Sequence, residues 1–227
     1  MGGVLRRRAL LGALPAALVG CATTPEHHDG WHEVRLPGKE PTRYHWGLKD
    51  GRRVLAAEAE SSASMWRRKI ERAPSQIGEV EWSWRVDRLI DEADLSVAER
   101  ADAPARVLFG FGGDRSRLSP RNRLMFELAH ALSGEEPPFA TLMYVWATRA
   151  PLDSVVINPR TDRVRKIVLD SGSGHLGRWR EHRRHLARDF RRAFGEDPGP
   201  LLSVAVMTDA DNTRSRAQAW YGPIRFV

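Results

Sequence analysis

The chain has 227 residues and a formal net charge of +7, with 36 Lys and Arg against 29 Asp and Glu. Hydrophobic content of 41% with eight Trp argues for a packed core and against disorder. The single cysteine excludes disulfide frameworks and thiolate metal sites.

The N-terminus carries Arg6, Arg7 and Arg8, then an apolar run over 9–20 that is too short to span a bilayer. It ends Leu18-Val19-Gly20-Cys21, which resembles a bacterial lipobox. That resemblance implies a lipoprotein signal peptide over 1–20, with Cys21 as the lipidation site and acyl chains as the membrane anchor. Ala22, with no Asp after the cysteine, resembles the pattern of lipoproteins sent to the outer membrane, here facing the periplasm. The arginine pair leaves Sec and twin-arginine export both open. Removal of 1–20 lowers the net charge from +7 to +4, because three Arg and no acidic residue leave. An exported protein, whatever its charge, is not expected to meet nucleic acid.

Residues 21–30 read as a tether, and His27 and His28 within it read as solvated linker rather than metal ligands. The rest, 31–227, reads as one domain. Short strand patterns occupy 31–36, 42–46, 53–60 and 65–71, separated by turn residues. Over 80–86, Val80, Trp82, Trp84 and Val86 share one face, which reads as core. Glu81, Arg85 and Asp87 share the other, a polar face suited to a ligand.

The stretch 91–103 is compatible with a helix. A strand follows at 105–111, and Ser119-Pro120 opens a helix to Leu132, stopped by Gly134, with Leu124, Leu128 and Ala131 at helical spacing. A central strand is predicted at 141–148 and a hairpin over 154–157 and 164–169. Residues 178–194 read as one amphipathic helix, with arginines on its outer side. The serine in Asp170-Ser171-Gly172 lacks a nucleophile-elbow context. His182 and His185 have a spacing that can share a metal, without the accompanying glutamate of a metallohydrolase.

An apolar strand over 201–208 then leads into Asp209, Asp211, Asn212 and Thr213, and an aromatic strand follows. Hard oxygen ligands packed on one loop suit calcium, with Asp209 and Asp211 as the metal candidates; no Gly and terminal Glu follow at EF-hand spacing. The competing reading is local turn bonding. Carboxylates for glycoside hydrolysis are available at Glu81, Asp87, Glu127, Asp189, Asp209 and Asp211, and spacing selects no pair among them.

The Met-Thr-Asp-Ala-Asp-Asn-Thr run at 207–213 and Ala-Gln-Ala-Trp-Tyr-Gly at 217–222 resemble a bacterial envelope family catalogued as domain of unknown function 3047. Glu81-Trp82-Ser83-Trp84-Arg85-Val86 and Tyr144-Val145-Trp146 are similar to the same family in the same order. Arg214 stands where the family usually has glycine, and Pro223 where an acidic residue usually follows Tyr-Gly; the lost carboxylate weighs against calcium. The resemblance brings no activity with it.

The expected fold is mainly β, an antiparallel jelly-roll-like β-sandwich with a few inserted helices, an α+β layer being the alternative. The expected function is a non-catalytic binding or structural module of the cell envelope. Its ligand would be an envelope glycan held by Glu81, Arg85 and Asp87, with Asp209, Asp211, Asn212 and Thr213 at the rim. A jelly-roll glycoside hydrolase or lyase is one alternative, and a protein-interaction subunit of an envelope complex is another. No cofactor is expected apart from the calcium option.

Overall fold

The computed structural model describes residues 1–2 and 30–227. Cys21, His27 and His28 lie outside the described residues. In chain order the strands begin with β1 (Trp31–Arg35), β2 (Arg43–Lys49), β3 (Arg52–Glu60), β4 (Ala63–Arg72) and β5 (Glu79–Val86). Next come β6 (Ala103–Phe111), helix α1 (Pro120–Ser133), β7 (Ala140–Ala147), β8 (Val155–Ile157) and β9 (Val164–Ser171). The chain closes with β10 (Arg180–His185), helix α2 (Leu186–Phe194), β11 (Leu201–Asp209), β12 (Arg216–Tyr221) and β13 (Arg225–Phe226).

These strands form two sheets. One has seven strands in the order β1-β4-β11-β6-β7-β9-β8; the other has β10-β5-β12-β3-β2, with β13 on β5. All pairings are antiparallel except β7 with β9, which is parallel. The fold is the expected jelly-roll-like β-sandwich. Alternation along each strand decides which side chains enter the core. Val80, Trp82, Trp84 and Val86 point inward from β5 and meet Val107, Phe109, Tyr144 and Trp146 from the other sheet. All eight are at most 3% exposed, and aromatic pairs such as Trp82 on Tyr144, 5.0 Å between centroids, fill the layer.

Two buried carboxylates anchor the polar groups of this core. The Asp170 carboxylate accepts from Trp84 Nε1 at 2.8 Å, Arg180 Nε at 2.7 Å and His182 Nε2 at 2.9 Å. Tyr144 Oη donates to Asp189 at 2.6 Å, and Arg184 holds the same carboxylate through two nitrogens. Both knots tie β10 and α2 onto the sandwich.

Three sequence expectations are corrected. Residues 178–194 are not one helix: 180–185 is a strand paired with β5, and the helix starts at Leu186. Its inward residues Arg180, His182 and Arg184 find carboxylates only in strand geometry, and His185 Nδ1 caps the helix at Arg188 N. Residues 91–103 hold only a short 3-10 turn at Ala98–Arg100. There Asp94 caps Ser96, Leu95 is buried, and its carbonyl accepts from Lys166 Nζ at 2.9 Å, so tertiary contacts override helix propensity. Helix α1 forms as expected between the Ser119 cap and Gly134, whose φ is 71°. Its face is turned, however: Leu124 and Leu128 are exposed, while Phe126 and Asn122 are buried. The cause is the bonding of Asn122, which donates to Asp162 at 2.6 Å and accepts from Thr161 at 2.8 Å.

Candidate functional site

The loop after β11 closes onto Asp102, just before β6. Asp102, 1% exposed, accepts from Asn212 N at 3.3 Å, Asn212 Nδ2 at 2.8 Å, Thr213 N at 2.7 Å and Thr213 Oγ1 at 2.6 Å. Asp209 accepts from Ala103 N at 3.1 Å and pairs with Arg106 at 2.9 Å. Burial pushes its carboxyl up to about 7, against the opposing pull of Arg106. Asp211 pairs with Lys39. Carboxylate oxygens of Asp102, Asp209 and Asp211 come within 4.8 Å of one another. These are hard donors, yet the ammonium and guanidinium groups already seated on Asp211 and Asp209 fit turn bonding rather than a cation. Arg214 sits at φ 50°, the left-handed region that glycine occupies without strain.

Glu81, Arg85 and Asp87 lie on the outward face of the six-stranded sheet, as β5 alternation requires. They do not share a face with the outward side chains of β11. Arg85 donates to Asp87 at 2.7 Å and to Asp50 at 2.5 Å, and Lys49 reaches Asp87 at 3.6 Å. Lys49 also lies 3.9 Å over the Trp220 ring. Glu81 pairs with Arg183 at 3.2 Å. His182 and His185 do not converge: one binds Asp170 inside the sandwich and the other caps α2.

Glu81 borders an open depression of about 750 Å³ together with Trp82, Glu181 and Arg225. This joins a second depression of about 560 Å³ through Arg53, Gly222 and Pro223. The second lies at the seam where the edge strands β1 and β2 bring up Trp31 and Trp46. Trp46 is 38% exposed, and the Arg68 guanidinium lies 5.5 Å over Trp31. Gly222 permits the junction, since a Cβ there would sit 2.3 Å from Ser83 Oγ. Arg68 Nε and Trp82 Nε1 are buried donors without a hydrogen-bond partner; Arg68 borders the second depression, whereas the Trp82 ring points into the core.

A third concavity, about 320 Å³, lies on the outward face of the seven-stranded sheet. Strand register places Met65, Met207, Arg106 and Val145 in one cross-strand row. Arg67, Ala205, Leu108, Met143 and Lys166 form the next. Lys166 is fully buried, and desolvation lowers its ammonium from 10.5 to about 7. The sequence reading missed this face. Its signal was a charge inside an apolar strand, Arg106 between Ala105 and Val107.

The profile of the family described as protein of unknown function (DUF3047) matches residues 29–225. No curated protein matches the chain. Among solved structures, one similar chain is a meso-active thermo-stable cellulase derived from the Cel12A cellulase of Rhodothermus marinus. It is 12% identical with a TM-score of 0.46, over 86% of this chain and 90% of that one. Another is the family 11 xylanase from Neocallimastix patriciarum, 8% identical with a TM-score of 0.35, over 86% and 98%. At these scores neither likeness carries an argument about activity.

Proposed function

Because the chain belongs to the DUF3047 family of proteins of unknown function, its membership supplies no activity, and we propose a non-catalytic, glycan-binding module of the cell envelope. Its anchor is the lipid carried by Cys21, and its working place is the periplasmic side of the outer membrane. The observation that carries the reading is the pair of tryptophans, Trp31 and Trp46, at the open seam between the sheets.

An apolar ring face beside hydrogen-bonding groups suits a sugar, which has one apolar face and a hydroxyl rim. Arg68, at the border of the seam, keeps an Nε–H that no protein group accepts. Glu81 and Glu181 border the adjoining depression, each held by an arginine, Arg183 at 3.2 Å and Arg52 at 2.5 Å. Such fixed charges orient a polyhydroxyl ligand without having to reorganise.

The test is thermal unfolding of the purified protein against a panel of envelope glycans. A ligand that binds only the native state stabilises it by mass action, by about 2.7 kcal/mol at a hundredfold excess over Kd, and so raises the midpoint. Trp46→Ala is expected to weaken that glycan at least about tenfold, and Glu81→Ala to weaken it less. A panel without any shift, or a shift indifferent to both variants, would count against the reading.

A further inference from the structure

The concavity on the outward face of the seven-stranded sheet is not used by the glycan reading, and its chemistry is different. No aromatic ring lines it. Its floor is thioether and aliphatic, from Met65, Leu108, Met143, Ala205 and Met207. Methionine is unbranched and polarisable, and it adapts to irregular apolar chains. The border is cationic: Lys39, Arg67, Arg106 and Arg160 stand against two carboxylates, Asp209 and Asp211.

Two of those cations keep an unused donor. Arg67 Nε and Arg106 Nε are buried and have no hydrogen-bond partner. The Arg106 side chain is 5% exposed and the Arg67 side chain 13%. They stand in adjacent rows on either side of β11, with Met207 beside one and Ala205 beside the other. Leaving a buried charged donor unmatched is costly, and an anion placed there would recover that cost. Both guanidinium groups are already ion-paired through their terminal nitrogens, Arg106 to Asp209 and Arg67 to Glu135; an uncharged chain would satisfy the floor and leave the two Nε–H donors without an acceptor.

From this arrangement we infer that the concavity binds an anionic amphiphile, an unbranched apolar chain ending in one anionic group, with the chain along the methionine floor and the anion between Arg67 and Arg106. The volume, about 320 Å³, lies at the small end of ligand sites and suits a short chain. This site is separate from the Trp46 seam, so either can fail without the other.

The experiment titrates the purified protein with decanoate, decanol and acetate below their micellar range, read by calorimetry and by the unfolding midpoint. Decanoate is expected to bind at least about tenfold tighter than decanol, because only the anion meets the unmatched donors. Acetate, lacking the chain, is expected not to bind measurably. Ala205→Phe fills the floor and is expected to abolish decanoate binding, while Arg106→Gln reduces it to the decanol level. Arg106 also holds Asp209 and its variant can fail to fold, so Arg67→Gln, whose side-chain partners His32 and Glu135 are exposed, supplies an independent loss of affinity. Trp46→Ala is expected to leave decanoate binding unchanged. Equal affinity for decanol and decanoate would overturn the anionic half of the inference. Absence of decanoate binding, or binding that survives Ala205→Phe, would overturn the site itself.

Discussion

The two outward faces of the sandwich follow the same alternation and reach opposite solutions. On the six-stranded sheet, Arg85, Asp87, Asp50 and Lys49 neutralise one another over Trp220, and Glu81 and Glu79 share Arg183. That face is an ion-pair lattice in contact with water. On the seven-stranded sheet the outward rows are methionine, leucine and alanine, crossed by Arg67, Arg106 and Lys166, and the 88–102 and 209–215 segments fold over part of it. Exposed pairs on the first face contribute little, because water screens them. Charges on the second are desolvated, so each must be matched or is costly. The two faces therefore differ in kind: charge on one is exposed and self-neutralised, and charge on the other is desolvated and incompletely matched.

The largest expected effect tests the buried side of that contrast. Asp102→Ala removes an acceptor of four hydrogen bonds and leaves the Asn212 and Thr213 donors under a closed loop. Denaturant unfolding is expected to show a loss of about 2–4 kcal/mol. A loss near zero would mean that the loop is held by packing instead, and that calcium could compete for these carboxylates.

A smaller effect is expected from the dependence on pH. The Lys166 ammonium titrates near 7 when folded and at its ordinary 10.5 when unfolded. Between those values the unfolded chain binds more protons, so this group's contribution makes the protein more stable as pH rises from 7 to 10.5. Below 7 both states are charged and the burial penalty is present in full. Asp209, raised to about 7 from 3.8, acts the other way, its contribution falling as pH rises between those two values. The difference in midpoint between the native protein and Lys166→Met is therefore expected to change steadily above pH 7 in favour of the native chain. A difference constant with pH would show that the amine is hydrated when folded.

The smallest effect belongs to the exposed lattice. Arg85→Ala is expected to cost less than Asp102→Ala and to lose its effect at about 1 M salt, where the Debye length is about 3 Å. A cost that persists in high salt would instead assign Arg85 a packing role over Trp220, 5.8 Å away.

The sequence by itself determined the elements whose local signals agree with their surroundings. The Val80-Trp82-Trp84-Val86 alternation could bury only one face of β5, the cap and stop residues bounded α1, and the apolar run before Asp209 had to be an interior strand. Membership of the family was legible in the Asp-Asn-Thr loop and the Trp-Ser-Trp strand. Tertiary structure decided the rest, because it depended on partners distant in the chain. Residues 180–185 satisfy a strand and a helix equally well as a pattern, and the edge of β5 together with Asp170 and Asp189 chose the strand. Leu124 and Leu128 look like a core stripe until Asn122 finds Asp162 and Thr161. Glu81 and Asp209 look like parts of one polar surface until the pairings put β5 and β11 in different sheets. The methionine-floored concavity was invisible for the same reason: Met65, Arg106, Met143 and Met207 are 37 to 142 positions apart in the chain, and only the pairing of β4, β11, β6 and β7 sets them side by side.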